Sequence, residues 1–573
     1  MRQSSVRGDR PRRRQQADAQ ELDDRFDSPS GSSGPPPDAP GWTPDDAVGS
    51  GADSLAGAGR SGKDGGGTSR RGRRRAGRPR RRKGSRILRW TALSLGVLLV
   101  AGAGGGYLYY QHLNSNLRKD HLDLGSSGLQ KPEPNAFGQS PLNILMIGSD
   151  GRNSEKNIDL GGSREDADRK PLADVQMLLH VSADRSNMSV ISIPRDTRVP
   201  IPKCTDPDDG KVYPQTTAAI NQSLQHGGPG CTVATWKELT GIYIDHFMMV
   251  DFSGVVDMAD AIGGVPVCVD NNIYSHTHDG HGSGLKLTKG THSVKGVQAL
   301  QWLRTRYGFE DNTDIGRAKA QHMYMNSMVR QLKSGTKLTD PGKLYDLADA
   351  ATKALTVDDG LGSPKKLYDL AGDLQRVPTK RITMVTMPWQ YGPGEKYVLP
   401  KPGDAEQTFT LLRNDTALDG KDTKKKPTPD PKPSTAKDQL KVVVQNGTNS
   451  TVSGPVPHRA SAIQQQLAQL GYTTAGTDSS LITQADTTIG YPDDKQRGDA
   501  LALAKSLGLP KSAVKQSASA DGLRLVVGND WREGTTYPKQ DADKGSDKAP
   551  ESADALNGED KKACMKVNPM YTF

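Results

Sequence analysis

Short runs of apolar residues, each ended by glycine, proline or a charged residue, recur through the middle of the chain. Runs of about four to eight such residues are typical of buried β-strands. The runs that predict strands lie at 143–148, 176–181, 188–193, 265–269 and 381–387, and further on at 440–446, 487–491 and 523–527.

Between these runs the apolar positions follow the spacing of an amphipathic helix. Gly263 and Gly264 end one of these segments as a helix stop. Alternating strands and helices favour an α/β fold built in layers. The predicted helices lie at 218–226, 233–240, 252–262, 295–305, 314–332, 343–355 and 364–374, and then at 460–470 and 498–507.

One longer stretch, 87–110, is uncharged apart from Arg89. At about 1.5 Å per residue it is long enough to cross a hydrocarbon core of about 30 Å. Trp90 at one end and Tyr107, Tyr109 and Tyr110 at the other suit the two membrane interfaces. We therefore predict one transmembrane helix here. A cleavable signal peptide fits poorly, because the leader before the stretch is too long.

The composition explains what precedes that helix. Hydrophobic residues make up only 34% of the 573 residues, below the usual roughly 45–50%. This excludes a single compact enzyme and a multi-spanning membrane protein. Residues 1–86 are rich in Arg, Gly, Ser, Pro and Asp, and we expect them to be disordered because they have too little apolar surface to bury.

The positive charge is concentrated in this tail. Residues 1–89 carry 21 Lys and Arg against 11 Asp and Glu, which accounts for the whole net charge of +10. The dense basic run 70–89 adjoins the apolar stretch, so the positive-inside rule predicts a single-pass cell-membrane protein with a cytoplasmic N-terminus and an extracellular body. No groove-reading motif accompanies the run, and we expect no nucleic-acid partner.

Changes in composition divide the exported part into segments. We predict a spacer at 111–139, a main domain at 140–415, a charged Pro/Lys linker at 416–438, a small domain at 439–532 and a polar tail at 533–573.

The four cysteines suit an oxidising compartment. Cys204 and Cys231 flank one loop and form a predicted disulfide, whereas the pairing of Cys268 with Cys564 stays open.

Arginine, aspartate and glutamine side chains gather at predicted strand ends and on one predicted helix. Guanidinium groups match phosphate oxygens, and Mg²⁺ favours one or two carboxylates together with phosphate oxygens. The pattern indicates a pyrophosphate site, although a set of surface ion pairs would look the same. The residues are Asp150, Arg152, Asp174, Arg195, Arg198, Arg304, Arg306, Arg317 and Gln321.

Several motifs in order resemble the catalytic domain of the LytR-CpsA-Psr family. The resemblance covers about 190 residues, and its SIPRD and R-x-R elements are specific in combination. The matching segments are NILMIGSDGR (143–152), ADVQMLLHV (173–181), MSVISIPRDTRVPIP (188–202), AINQSLQHGG (219–228), LTGIYIDHFMMVDFSGVVDMADAIGGVPVCV (239–269), KGVQALQWLRTRY (295–307) and DIGRAKAQ (314–321).

The resemblance implies a central mixed β-sheet flanked by helices, with an apolar groove for a polyprenyl chain. It also implies a membrane-anchored extracellular phosphotransferase that moves a glycopolymer from undecaprenyl pyrophosphate to peptidoglycan. Asp150 and Asp174 would bind Mg²⁺ and act in catalysis with Arg195, Arg304 and Arg306. The residues that would bind the pyrophosphate are Arg152, Arg195, Arg198, Arg304, Arg306, Arg317 and Gln321.

Two positions depart from the family pattern. Leu172 stands where the family usually has an arginine two residues before the second aspartate, and Ala320 replaces the arginine of an RxxRQ ending. Arg169, Lys170 or Lys319 are candidates to compensate.

The departures keep other activities open. Water in place of the sugar hydroxyl would give a polyprenyl-pyrophosphate hydrolase, and loss of activity would leave a membrane-tethered protein that binds anionic wall polymer.

The small domain resembles the domain that often follows LytR-type catalytic domains, through VVVQNGT (442–448) and VVGND (526–530). The loop with His276, His278 and His281 favours an exposed segment over a zinc site.

Overall fold

The computed structural model describes residues 84–122, 131, 134, 138–151, 169–333, 341–422, 430–450, 453–517, 522–538 and 548–573. Residues 1–83 of the predicted disordered tail lie outside this set, as does Arg152, so the structure gives no account of either prediction.

The first helix is longer than its apolar stretch. It begins at Gly84 and continues to Asn116, past the predicted end at residue 110, into the segment predicted as a spacer. The window from Arg89 to Asn116 is long and apolar enough to cross a membrane. The helices are α1 Gly84–Asn116, α2 Ser223–Thr240, α3 Phe252–Ala261, α4 Gly296–Arg304, α5 Asp314–Lys333, α6 Pro341–Ala354, α7 Pro364–Arg376, α8 Asp404–Arg413, α9 Arg459–Gln469 and α10 Arg497–Leu507.

The strands that the structure describes are short, with two to nine residues each. Their bounds are β1 Arg118–Asp120, β2 Leu142–Ser149, β3 Ala173–Val181, β4 Met188–Ser192, β5 Arg198–Ile201, β6 Cys204–Thr205, β7 Val212–Tyr213, β8 Thr216–Ala219, β9 His246–Val250, β10 Val265–Val269, β11 Ile273–Tyr274, β12 Lys286–Leu287, β13 Gly290–Val294, β14 Leu355–Asp358, β15 Ile382–Thr386, β16 Trp389–Tyr391, β17 Val398–Pro400, β18 Val442–Asn446, β19 Gly476–Leu481, β20 Thr488–Tyr491, β21 Val514–Gln516, β22 Leu523–Val527 and β23 Leu556–Asn557.

The central sheet is mixed, as the resemblance implies. Its order is β1-β14-β9-β2-β3-β4-β15-β23. β2 is antiparallel to β3 and parallel to β9, and β4 is antiparallel to β3 and parallel to β15. Alternate residues of the buried strands enter two cores. Leu145 and Leu178 pack with Trp236 of α2 on one face, whereas Ile144 and Met177 belong to the core on the other face.

One predicted helix is partly wrong. Residues 218–226 begin as strand β8, which pairs with β5, and continue as a short 3₁₀ turn before α2. Ala218 packs against the buried Cys204–Cys231 disulfide, and this tertiary contact outweighs its helical propensity. Gly227 and Gly228 adopt non-helical angles and kink α2, which joins this segment to the predicted helix 233–240.

The small domain has its own five-stranded sheet, ordered β19-β18-β22-β20-β21, with a core that contains Ile463, Leu503 and Trp531. The predicted linker 416–438 is shorter in the structure. Ala417 and Leu418 are buried in the main domain, and the described end of the linker bonds to Asp499 of the small domain.

The C-terminal tail returns to the main domain. β23 pairs with β15 at the edge of the central sheet. Cys564 forms a disulfide with Cys268, which settles the pairing that the sequence left open. Met565 is fully buried beside this bond.

Candidate functional site

A cavity of about 750 Å³ opens between the ends of β2, β3 and β9 and the helices α3, α4 and α5. Most of its wall is apolar, and one region is charged. The apolar part includes Met146, Met177, Met248, Val255, Met258 and Met325; the charged part includes Asp150, Asp174, Arg195, Arg304, Arg306, Arg317 and Gln321. Every predicted site residue that the structure describes, except Arg198, therefore lines one cavity.

The two carboxylates meet because their strands are antiparallel neighbours. Asp150 follows the last residue of β2, and Asp174 is the second residue of β3. The strands approach closely at Gly148, where a Cβ atom would lie 2.8 Å from the Cβ of Val175. A side chain at position 148 would push apart the two strands that carry the carboxylates.

Asp150 is almost fully buried, and its partners hold it in place. The backbone N–H of Leu172 donates to Oδ1 at 2.6 Å, and Arg169 Nη2 donates to Oδ2 at 2.5 Å. The backbone N–H of Asp150 in turn donates to the carbonyl of Leu172. Leu172 thus positions Asp150 through its main chain, and Arg169 supplies a guanidinium beside it.

Arg195 links three elements of the site. Its Nη1 donates to Asp174 Oδ1 at 3.0 Å, and its Nε lies 3.4 Å from Asp314 Oδ1 at the start of α5. Burial acts to lower the pKa of Arg195, and the charges of Asp174 and Asp314 outweigh it, so the pKa is raised. Arg317, one turn along α5, pairs with the same Asp314. This network keeps two guanidinium groups charged and fixed at the cavity wall.

The end of α4 delivers two more arginines. The Arg304 guanidinium lies over the Phe252 ring, 4.8 Å from its centroid. Arg306 differs, because its Nε is buried without a hydrogen-bond partner among the described residues. Gln321 bonds the carbonyl of Leu303 and so ties α5 to the same turn. A buried, unused guanidinium donor that lines a cavity is a group ready for an anionic ligand.

Arg198, a predicted pyrophosphate residue, is not part of the cavity. It is exposed at the start of β5, and its guanidinium stacks on Tyr397 instead. β5 pairs with β8, away from β2 and β3, and this pairing carries Arg198 away from the cavity.

The three residues proposed to compensate for the arginines missing at 172 and 320 also differ in whether they reach the cavity. Lys170 pairs with Asp206 and Asp209, which hold its pKa above the ordinary value. Lys319 pairs with Glu310 and Asp554. Arg169 is the one of the three that bonds a cavity carboxylate.

Some site residues carried no functional expectation from the sequence. Asp314 is one, although its place three residues before Arg317 on a predicted helix is a signal for an ion pair. Phe252, Ser283 and Tyr307 also line the cavity. Of the loop histidines, His281 reaches the cavity rim, and the described part of the chain has no group of three or more His, Cys, Asp or Glu that would hold a metal by itself.

Two family models match the sequence. The model of the LytR_cpsA_psr family matches residues 107–414, more than half of the chain. The model described as LytR cell envelope-related transcriptional attenuator matches residues 439–531. Together they cover both folded domains.

Named relatives are similar over long stretches. The chain is 28% identical over 476 residues to "Cell wall biosynthesis protein LcpA" of Corynebacterium glutamicum, covering 78% of this chain and 86% of that protein. It is 26% identical over 284 residues to "Polyisoprenyl-teichoic acid--peptidoglycan teichoic acid transferase TagU" of Bacillus anthracis, covering 49% of this chain and 83% of that protein.

Solved structures give weaker likenesses. A "LytR-Csp2A-Psr enzyme from Actinomyces oris" is 18% identical with a TM-score of 0.37, covering 52% of this chain and 96% of that structure. "TagT bound to LI-WTA" is 21% identical with a TM-score of 0.38, covering 52% of this chain and 98% of that structure.

Proposed function

The chain belongs to the LytR-CpsA-Psr family, and on that premise we propose that it is a phosphotransferase of cell-wall assembly. The proposed reaction moves a glycopolymer from a polyprenyl pyrophosphate carrier to a peptidoglycan hydroxyl. The observation that carries the proposal is one cavity with a charged region of four arginines and two aspartates beside a long apolar wall.

The two parts of the cavity suit the two parts of such a carrier. The apolar wall, rich in methionine, offers an adaptable surface for an isoprenoid chain. The arginines offer planar donors for the pyrophosphate. A polymer without a lipid would leave the apolar wall unfilled, so the cavity favours a lipid-linked polymer over a free anionic polymer as its ligand.

In the proposed reaction the acceptor hydroxyl attacks the phosphorus that bears the sugar polymer. The new bond joins the acceptor oxygen to that phosphorus, and the bond to the bridging oxygen of the pyrophosphate breaks. Polyprenyl phosphate leaves with that oxygen, and the hydroxyl proton passes to a carboxylate. Asp174 is better placed than Asp150 to accept the proton. Both carboxylate oxygens of Asp150 accept bonds, from Leu172 and Arg169, whereas Arg195 bonds Asp174 at Oδ1.

The arginines stabilise charge in this scheme. Arg306 Nε has no hydrogen-bond partner in the part of the chain that the structure describes, so its guanidinium is available to the pyrophosphate, whereas Arg195 and Arg317 are fixed by Asp174 and Asp314. Such preorganised donors stabilise charge on the leaving group without reorganisation during the reaction.

The donor set also fits Mg²⁺ as an expected cofactor. Asp150 and Asp174 line the same cavity, and Arg195 bonds Oδ1 of Asp174, whose side chain is 23% exposed. Mg²⁺ is commonly bound by one or two carboxylates with phosphate oxygens completing its shell. When bound, the ion would neutralise pyrophosphate charge, and Asp150 and Asp174 would hold it.

The proposal includes a location. The apolar helix α1 would anchor the chain in the cell membrane as a single span. The basic run at 70–89 would lie in the cytoplasm and both folded domains outside, where peptidoglycan is.

The test uses the full chain in detergent with a polyprenyl pyrophosphate saccharide and peptidoglycan fragments. We expect release of polyprenyl phosphate and a new phosphodiester in the presence of Mg²⁺, and loss of both in EDTA and in Asp174→Asn. Asp209→Asn is the matched control, because Asp209 pairs with Lys170 away from the cavity.

Two outcomes would contradict the proposal. Release of lipid phosphate with no phosphodiester in the presence of acceptor would indicate a hydrolase. Polymer binding without release, unchanged by EDTA, would indicate a binding protein.

A further inference from the structure

Helix α1 does not end at the membrane; it packs on helices of the main domain. The Tyr109 and Tyr345 rings stack with centroids 4.6 Å apart. His112 Nε2 lies 2.8 Å from Asp349 Oδ1, and Asn116 Nδ2 donates to the same oxygen at 3.1 Å. The end of the proposed span is thus joined to α6 by specific contacts.

These contacts set the direction of α6. Tyr109 meets Tyr345, and Asn116, two turns later, also reaches Thr352. The two helices therefore run in the same direction, and the first turn of α6 lies at the depth of Tyr109. Tyr109 belongs to the tyrosine group that ends the apolar stretch, so that depth is the outer membrane interface.

Helix α7 reaches the same level. It contacts α1, and its first turn carries Lys365. The pKa of Lys365 is raised by its bond to Asp369 first and also by the nearby Tyr110 hydroxyl. Tyr368, one turn further, is 78% exposed.

Large apolar side chains remain open to solvent at this level. Leu344 is 45% exposed and Tyr345 48%, and Tyr107 and Tyr110 on α1 are exposed as well. Tyr345 adjoins Tyr109 of α1, and exposed apolar side chains that adjoin one another are typical of an interaction site.

We propose that these side chains form a membrane-contact surface, defined by Tyr107, Tyr110, Leu344, Tyr345 and Tyr368, which rests on the outer phospholipid layer. This inference depends on the anchoring in the proposed function. The occupant is lipid because the surface is continuous with the spanning helix and lies at its interfacial end. Tyrosine, with an apolar ring and a polar hydroxyl, is suited to that layer.

The contact is apolar in character. Lys353 and Lys365 pair with Asp349 and Asp369, and Lys366 donates to the Asp359 carbonyl. The carboxylates of Asp349 and Asp369 balance the charges of Lys353 and Lys365 and leave Lys366 as the positive charge of this group, so binding should depend more on the apolar side chains than on anionic lipid or salt.

The surface also fixes the height of the cavity. Leu355, which directly follows α6, lines the cavity. It lies ten residues beyond Tyr345, which is about 15 Å along the helix. The membrane-contact surface would therefore hold the apolar wall of the cavity just above the layer from which a carrier lipid must come.

The test uses the full chain in phosphatidylcholine nanodiscs. Variants Leu344→Cys and Tyr368→Cys each add one free cysteine to a chain whose four native cysteines are paired in disulfides. The added thiol is labelled with the fluorophore NBD, and Leu481→Cys is the control. Leu481 is 53% exposed, comparable with Leu344, but lies on β19 of the small domain. A nitroxide near the lipid headgroups should quench NBD about twofold or more at 344 and 368, because interfacial side chains lie at headgroup depth. It should leave 481 unquenched.

The outcomes are separable. If the protein enters nanodiscs but NBD is quenched equally at 344, 368 and 481, the proposed membrane-contact surface is wrong and the proposed membrane anchor stands. A blue-shifted, unquenched NBD would show burial against protein, such as a second copy, and overturns it too. Chain that fails to enter nanodiscs contradicts the proposed anchor, and this inference falls with it.

A functional arm uses Leu344→Ser combined with Tyr368→Ser. We expect turnover of a long-chain carrier in nanodiscs to fall about tenfold, which corresponds to a loss of about 1.4 kcal/mol. Turnover of a short-chain, water-soluble carrier should be unchanged. Equal turnover of the long-chain carrier by variant and wild type would contradict the proposed role.

Discussion

Replacing Arg306 by methionine should separate activity from stability. The Arg306 side chain lines the cavity, and its Nε is buried without a hydrogen-bond partner among the described residues. A donor that is desolvated but unused costs folding free energy. The same donor is valuable once a pyrophosphate is bound. Arg306→Met should therefore lower the rate of transfer without lowering the free energy of unfolding.

The magnitudes follow from this arrangement. An unsatisfied buried polar group costs about 1–3 kcal/mol, and methionine keeps an unbranched apolar stem against the same neighbours. We expect the free energy of unfolding to stay the same or rise by about 1 kcal/mol. Loss of one preorganised donor to a charged transition state typically costs about 10²–10³ in rate, or about 3–4 kcal/mol. Transfer should fall by that factor.

The assay pairs two measurements on the same preparations. Release of polyprenyl phosphate gives the rate, and denaturant unfolding gives the stability. Arg198→Met is the matched control, since Arg198 is an exposed arginine on the same domain that stacks on Tyr397 outside the cavity. The control should transfer at close to the wild-type rate.

Two results would refute the reasoning. Transfer within about threefold of wild type would mean that Arg306 does not contact charge in the transition state. A fall of more than about 2 kcal/mol in unfolding free energy would mean that the Arg306 guanidinium has a structural partner after all.

Three further predictions concern the folded chain. Arg413, with its side chain only 8% exposed, bonds Asp486 of the small domain through Nε and Nη2. Arg413→Met should lower the free energy of unfolding by about 3 kcal/mol, because it leaves a poorly solvated carboxylate unpaired. Limited proteolysis between the two domains should become faster. Deleting 548–573 removes β23 and the buried Met565, so the denaturation midpoint should fall by an amount equivalent to at least about 3 kcal/mol. Burial lowers the pKa of His322 to about 4. Because His322 takes up a proton below about pH 6.5 in the unfolded chain but not in the folded one, the free energy of unfolding should fall by up to about 3 kcal/mol as the pH drops from about 6.5 to 4. Denaturation measured across this pH range should show that His322→Leu abolishes this contribution.

Buried strands were predictable from the sequence where a short apolar run with a clear end marks the whole strand. β2, β3, β4 and β15 are short apolar runs with a clear end, and each lies within a few residues of its prediction. β9 was missed, although it lies between β2 and β14 in the sheet. Its residues, His246–Val250, are separated from the apolar helix α3 only by Asp251, the N-cap of that helix, and no glycine or proline marks the end of the strand. β1, β14 and β23 have only two to four residues, and their pairing partners, which are distant in sequence, define them.

That these side chains meet at one cavity was predictable for a different reason. Asp150 and Asp174 come together because one ends β2 and the other begins the antiparallel β3. Arg198 lies in the same motif as Arg195, yet the direction of β5 removes it from the cavity. Lys170 is held by Asp206, 36 residues away, and one of the two acids that pair with Lys319 is Asp554, 235 residues away. Local spacing cannot reveal such partners.

Leu172 provides a test of how the site tolerates its departure from the family pattern. Leu172 holds Asp150 through its backbone N–H and carbonyl, a role that any side chain would allow. Arg169 supplies the guanidinium that bonds Asp150. We therefore expect Arg169→Ala to lower transfer by about tenfold or more, since it removes a charged partner from a buried carboxylate.

A second substitution completes that argument. In extended chain, residues 172 and 174 point to the same face, so Leu172→Arg would place a guanidinium on the side of Asp174 without disturbing the backbone bonds to Asp150. When Leu172→Arg is added to Arg169→Ala, transfer in the polyprenyl phosphate assay should return to within about threefold of the wild-type rate. Leu172→Lys should restore less, because an ammonium group cannot form the two parallel hydrogen bonds of a guanidinium. Failure of Leu172→Arg to rescue, with the fold intact by denaturation, would show that Arg169 acts by closing the 169–172 turn rather than by its charge, and that the arginine missing at 172 has no substitute in this chain.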